Sequence, residues 1–137
     1  MKNDMESAWA DYRLGQMKEW GEGQPPDPAA AARLYRRAAM RGLAEAQQAL
    51  AFLYATGQGV PLNEAMAAAW FRRAAEQGLA VAQHNLAVMY VEGRGVEKDE
   101  RQALYWFYRA ATSGSNVSRQ WLSMARERWR DYLSADL

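Results

Sequence analysis

The sequence repeats itself at a spacing of 36 residues. Three segments align at that spacing: Leu34–Ala39 (LYRRAA), Trp70–Ala75 (WFRRAA) and Trp106–Ala111 (WFYRAA). Glycines keep the same register, as Gly42, Gly78 and Gly114 do. A unit this short cannot bury an apolar face by itself, so such units stack side by side. The period therefore predicts an elongated array of repeats and not one compact globule.

Each unit is predicted to contain two helices. Between residues 44 and 56, apolar side chains recur at positions 46, 49, 50, 53 and 54, which is the spacing of one helical face. Gly57 and Gly59 follow and indicate the end of that helix. The second helix begins at an aligned N-cap, which is Asp27, Asn63 or Asp99. We predict one repeat domain over residues 1–137, with repeats at about 7–42, 43–78 and 79–114 and a capping helix at about 116–133.

Composition supports an all-α fold. The chain has no isoleucine, and valine and threonine together occur only eight times, so the β-branched residues that favour strands are scarce. Alanine accounts for 27 of the 137 residues. Pairs such as Ala38 and Ala39 recur with the repeat, and their small side chains let neighbouring helices approach closely. The adjacent pairs Trp70–Phe71 and Trp106–Phe107 would fill the remaining space.

Composition and charge also exclude several classes of function. Cysteine is absent and His84 is the only histidine, so neither a thiolate site nor a two-histidine metal site can form. A net charge of +1 provides no bulk attraction to nucleic acid or to an anionic membrane. No segment approaches the roughly 18 apolar residues of a membrane span, and residues 1–6 do not resemble a secretory signal. We expect a soluble protein without a cofactor in the cytoplasm, or in the periplasm if a leader sequence has been removed.

The third repeat carries a family pattern. Its members are Ala82, Leu86, Tyr90, Gly93, Gly95, Val96, Asp99, Ala103, Trp106, Phe107, Ala110, Ala111 and Gly114. This pattern resembles the Sel-one-like repeat (SLR) family, which is related to the tetratricopeptide repeats. The resemblance covers residues from about 7 to 114 and implies a right-handed α-α superhelical solenoid that acts as a non-enzymatic adaptor or scaffold between proteins. The first repeat departs most, since Lys18 stands at the tyrosine position and Gln24 at the valine position.

Residues that vary within the periodic frame are candidates for partner binding, because stacking does not require them. On each first helix, the side away from the core stripe runs at i, i+4 and i+8. The candidate groove residues are Tyr12, Gln16, Trp20, Gln48, Phe52, His84, Val88, Gln120 and Met124. If the first helices line the concave side, as in the related repeats, the groove suits an extended peptide or a partner helix. Alternatively, Phe52 and Val88 pack against neighbouring helices and line no groove.

Several functions are compatible with such a module. The first hypothesis is an adaptor, scaffold or regulator that binds a protein segment in its concave groove, either as a monomer or as a weak homodimer through the solenoid ends. An alternative is an immunity-type protein that neutralises a toxin or effector. A cell-wall or lactam hydrolase is a further alternative, but it requires a nucleophile and a base in one pocket. We find no serine or carboxylate aligned with His84, so we predict no enzyme.

Three arginines recur at the repeat spacing and raise the question of a basic ridge. They are Arg37, Arg73 and Arg109. Each lies near the predicted C-terminus of a second helix, where a cation complements the helix dipole. We therefore interpret them as structural and predict no nucleic-acid site.

Overall fold

The computed structural model describes residues 3–114, 116, 118–120 and 123, and this part of the chain is helical without any strand. Residues 116, 118–120 and 123 are helical as well, and most of the predicted capping helix lies outside the described residues. The six helices are α1 (Asp4–Trp20), α2 (Pro28–Met40), α3 (Ala44–Thr56), α4 (Glu64–Glu76), α5 (Ala80–Glu92) and α6 (Glu100–Thr112). The predicted all-α fold of three helix pairs is confirmed.

Each helix packs against the next one along the chain, so the three pairs stack in order. The pairs are α1 with α2, α3 with α4 and α5 with α6. The joints between successive pairs are α2 against α3 and α4 against α5. The main contacts among the described helices therefore lie within a repeat or between adjacent repeats, which is the arrangement of a solenoid.

The predicted N-caps are confirmed at all three second helices. The Asp27 side chain accepts from the backbone N–H of Ala30 at 3.1 Å, and Asn63 accepts from Met66 at 3.0 Å. At α6, Asp99 accepts from the backbone N–H groups of Arg101 and Gln102. Because these amides have no partner within the helix, each cap contributes about 1 kcal/mol and sets where the second helix begins.

Two glycines in each loop have different structural roles. Gly57 and Gly93 end α3 and α5 in the left-handed conformation. Gly59 lies two residues later, and a methyl group there would overlap the backbone carbonyl of Pro28 at the start of the preceding second helix. Gly95 meets the Glu64 carbonyl in the same way. The second glycine is therefore part of the joint between repeats.

Alanines and aromatic residues divide the core as the sequence predicts. Ala38, Ala74 and Ala110 have no exposed surface, at equivalent positions of the three second helices. Trp106 and Phe107 are buried beside the last of them, and Tyr35, Phe71 and Phe107 hold one equivalent position in the core. Small residues thus allow close helix approach while the rings fill the volume between the helices.

Candidate functional site

The side of the first helices that lies away from the core stripe, which we call the first-helix face, carries the predicted groove residues. Phe52 is 40% exposed, and Trp20 and Gln120 are exposed as well. The half-buried members are Tyr12, Gln16, Gln48, His84 and Val88. Met124 lies outside the described residues. Because these side chains are distributed over successive repeats, the face could contact a partner over several repeats.

Phe52 and Val88 meet at one hollow of about 210 Å³. Its lining residues are Phe52, Ala55, Thr56, Phe71, Asn85, Val88, Met89 and Arg94. The Phe52 ring stands edge-on against Phe71 with the ring centres 5.0 Å apart. Phe52 therefore packs against the core on one side and remains open on the other. The packing contact is thus observed, while partner binding by this residue stays a prediction.

A guanidinium group lies at the rim of this hollow. Arg94 follows α5 in the loop, where its Nη1 donates to Glu92 Oε2 at 2.9 Å and its Nε lies 3.3 Å from Glu64 Oε1. These two carboxylates hold the arginine in place and together exceed its single positive charge. All three side chains are exposed, so the ion pairs orient Arg94 while contributing little to stability. The hollow is therefore apolar at its base, with a polar rim.

The part of the first-helix face near the N-terminus is a packed aromatic cluster. Tyr12 lies 5.7 Å from the Trp9 ring and 5.7 Å from the Tyr35 ring. Gln16 Nε2 donates to Tyr12 Oη at 3.1 Å. Burial is the main cause that raises the pKa of Tyr12, and the carboxylate of Glu45 adds to it, so the phenol stays neutral. These ring contacts and the hydrogen bond thus hold Tyr12 within the fold.

Sequence reasoning missed several residues of this face. Asn85 and Arg94 line the hollow, and Trp9 stands beside Tyr12. Trp9 and Asn85 lie three residues from the stripe positions Tyr12 and Val88, so a wider helical face, including the i−3 positions, would have found them. Arg94 lies in a loop, where helical spacing carries no signal.

His84 has a serine beside it, which corrects the sequence analysis. Its Nδ1 lies 2.7 Å from the Ser118 Oγ, and its ring centre lies 5.3 Å from that of Phe107. Ser118 has no exposed surface, so its hydroxyl cannot reach a substrate carbonyl in this conformation. The contact joins α5 to the helical residues that follow α6. The contacts of His84 and Ser118 thus contribute to packing between these helices.

We expect the stability of the protein to fall as the pH drops below 6.5. Burial lowers the pKa of His84 from its ordinary 6.5, so the unfolded chain takes up a proton there that the folded chain does not. The free energy of unfolding is therefore unaffected by His84 above pH 6.5 and decreases as the pH falls toward the lowered pKa of His84. Urea unfolding at about pH 7.5 and 5.5 measures the difference, and His84→Gln should reduce it.

The imidazole titration checks the cause directly, because His84 is the only histidine. Proton NMR of the folded protein should give a pKa below that of the same ring in urea, which serves as the reference. An equal or higher pKa in the folded protein would contradict the assignment.

The recurring arginines lie in the last turns of the second helices, as predicted. Arg73 also stacks over the Trp70 ring at 4.7 Å, and Arg109 over Trp106 at 5.0 Å. Arg37 has a leucine in place of that tryptophan and instead lies 3.4 Å from Asp11. Each of the three arginines therefore has a role within the fold.

Over the described stretches from residue 3 to 123, no group of three histidine, aspartate or glutamate side chains could hold a metal ion. No helix in the same part of the chain is long and apolar enough to cross a membrane.

Comparison with known proteins identifies the repeat. The family model named Sel1 repeat matches residues 10–43, 44–79 and 80–115. A protective antigen present in uropathogenic Escherichia coli strains, with an SLR fold, is 40% identical with a TM-score of 0.86, and the match covers 88% of this chain and 26% of that one. This chain therefore spans about a quarter of that relative. A search of curated proteins found no match.

Two further solved structures are similar. A Sel1 repeat protein from Oxalobacter formigenes is 35% identical with a TM-score of 0.78, and the match covers 85% of this chain and 87% of that one. Cysteine rich protein B from Helicobacter pylori is 19% identical with a TM-score of 0.69, and the match covers 87% and 96%. The last likeness concerns the fold alone.

Proposed function

Because this chain belongs to the Sel1 repeat family, we propose that it is an interaction module that binds a segment of another protein along its first-helix face. Sel1 repeat proteins generally mediate protein–protein interactions, and their fold is generally non-catalytic. The proposed role is that of an adaptor or regulator. The partner segment would lie across α3 and α5, with its main anchor between them.

The hollow at Phe52 and Val88 is the observation that carries this proposal. Its volume of about 210 Å³ is below the roughly 300–1,000 Å³ of small-molecule pockets but suits one large side chain. Phe52 presents an open aromatic ring there, and aromatic residues are enriched among the anchors of protein interfaces. The polar rim with Arg94 and Asn85 offers hydrogen-bonding groups to the backbone of an extended segment.

A photocrosslinking experiment tests which face binds. A benzophenone amino acid replaces Thr56, which is exposed and lines the hollow, or Ala69, which is exposed on α4 outside it. We expect a specific crosslinked protein from the host cell at position 56 and not at position 69. Mass spectrometry then identifies the partner for the affinity measurement.

We expect Phe52→Ala to weaken binding of that partner by about thirtyfold, since anchors at an interface contribute about 2 kcal/mol or more. Tyr108→Ala is the matched control, because Tyr108 is an exposed aromatic residue on the second helix α6. Isothermal titration measures both affinities, and circular dichroism verifies that the variants are folded. If Tyr108→Ala weakened binding and Phe52→Ala did not, the partner would lie on the second helices and the proposal would be wrong.

A further inference from the structure

The N-terminal repeat exposes a surface that the other repeats bury. Leu14 is 42% exposed, whereas its repeat equivalents Leu50 and Leu86 are buried against the preceding repeat. The next turn shows the same contrast, with Met17 45% exposed and its equivalents Leu53 and Met89 buried. The first repeat therefore presents a stacking surface, and no described residue covers it.

Gly23 is the repeat equivalent of the two glycines that lie in the joints between repeats. Gly59 and Gly95 each lie against the start of a preceding second helix. At Gly23, no atom of the described part of the chain lies within 4 Å of the place that a methyl group would take. We call the surface formed by Leu14, Met17, Lys18 and Glu22 the N-terminal face.

Asp11 is a poor contact residue for a further repeat packed on this face. At the equivalent internal position, Gln47 both donates to the Ala39 carbonyl of the preceding repeat and accepts from Gln77 of its own repeat. Asp11 accepts from Arg41 at 2.9 Å within its own repeat. A carboxylate cannot donate to a carbonyl, and it is repelled by the negative end of a preceding helix. The N-terminal face thus has a carboxylate where an internal repeat has the glutamine that binds the end of the preceding second helix.

The other end of the described solenoid has its stacking surface covered. Ser118 aligns with Ala82 at the repeat spacing, and both residues have no exposed surface. Arg119 Nε donates to the Ala111 carbonyl at 3.4 Å. The helical residues after α6 therefore occupy the place that a following first helix would take. A second copy cannot stack its α1 there without displacing them.

We propose that the N-terminal face pairs with the same face of a second copy, giving a head-to-head dimer. Leu14 and Met17 form its apolar centre, and Lys18 and Glu22 line the same shallow hollow. A twofold axis places one patch against itself, so Lys18 can pair with Glu22 of the partner subunit. One cation and one anion make the patch self-complementary. Its two apolar residues are the repeat equivalents of Leu50 and Leu53, which are buried within the chain.

Sedimentation equilibrium of the full chain tests the association. Between about 10 µM and about 1 mM, we expect the mass to rise from 15.5 kDa toward twice that value. The double variant Leu14→Glu/Met17→Glu should stay at 15.5 kDa over the same range. Met40→Glu is the matched control, since Met40 is an exposed apolar residue on α2 outside the face, and this variant should still associate.

Engineered cysteines test the orientation, because the chain has no cysteine of its own. In a head-to-head dimer, Leu14→Cys or Met17→Cys brings two identical thiols close together, so a short bismaleimide should link two chains. Met40→Cys should not be linked. Both cysteine substitutions are small changes at exposed positions, so the fold is retained.

A mass of one chain at every concentration would overturn the proposal, as would association without crosslinking at positions 14 and 17. The second result would indicate head-to-tail stacking or a contact elsewhere. Loss of association in the Met40→Glu control alone would place the interface on α2. None of these results affects the proposed role of the first-helix face, which is tested at Phe52.

Discussion

Replacing Gly59 or Gly95 with alanine should destabilise the protein by about 3–5 kcal/mol, with urea unfolding followed by circular dichroism as the measurement. Both residues have positive φ, at +72° and +71°, where a side chain costs about 1–2 kcal/mol. The new methyl group would also overlap the carbonyl of Pro28 or Glu64 in the preceding repeat. Because that carbonyl is backbone at a helix start, it cannot move aside without opening the joint between repeats.

Gly23→Ala is the control that separates the two effects. Gly23 has nearly the same φ of +70°, and no described atom lies close to its new methyl group. We expect this variant to lose only the backbone contribution, about 1–2 kcal/mol. Equal losses for all three substitutions would contradict the role of the second glycine in the joint between repeats.

Leu50→Ala and Leu86→Ala should each cost about 3–5 kcal/mol, while Leu14→Ala should cost less than about 1 kcal/mol. The three leucines are equivalent in the repeat, but only Leu14 is left exposed by the described part of the chain. Truncating a buried leucine removes its packing contacts and leaves a cavity between two repeats. Truncating an exposed leucine creates no cavity. Thermal or urea unfolding of the three variants measures the difference.

The unfolding measurements are made at a low micromolar protein concentration. A dimer formed through the N-terminal face would cover Leu14 and raise the cost of its truncation with protein concentration. At low protein concentration, Leu14→Ala could lower the free energy of unfolding as much as Leu50→Ala does. Such a result would show that Leu14 is covered by other residues of its own chain. That result would contradict the exposure of Leu14 and, with it, the proposed dimer face.

The candidate site was partly predictable from sequence. Helical spacing placed Phe52 and Val88 on the same side of their helices, and in the structure both line one hollow. Spacing could not show that Phe71 forms the floor of that hollow, or that the loop residue Arg94 reaches its rim. Those facts depend on how α3, α4 and α5 pack, and a periodic pattern within one helix contains no such information.

His84 and Ser118 show a different limit. The repeat aligns His84 with Gln48 and Gln120, and on that alignment Ser118 corresponds to Ala82. Their hydrogen bond joins non-equivalent positions of adjacent helices, so a comparison of equivalent positions does not find it. Only the packing of the residues after α6 against α5 brings the two side chains together.

The fold class of this protein was contained in its period, because a unit of 36 residues buries its apolar side only by stacking on its copies. The helix limits followed from local chemistry, such as the caps at Asp27, Asn63 and Asp99 and the glycines after each first helix. Burial depends on neighbours, and tertiary structure alone determined it. Leu14 and Leu50 are the same residue in the repeat, yet Leu14 is exposed and Leu50 buried, since among the described residues a preceding repeat covers only Leu50.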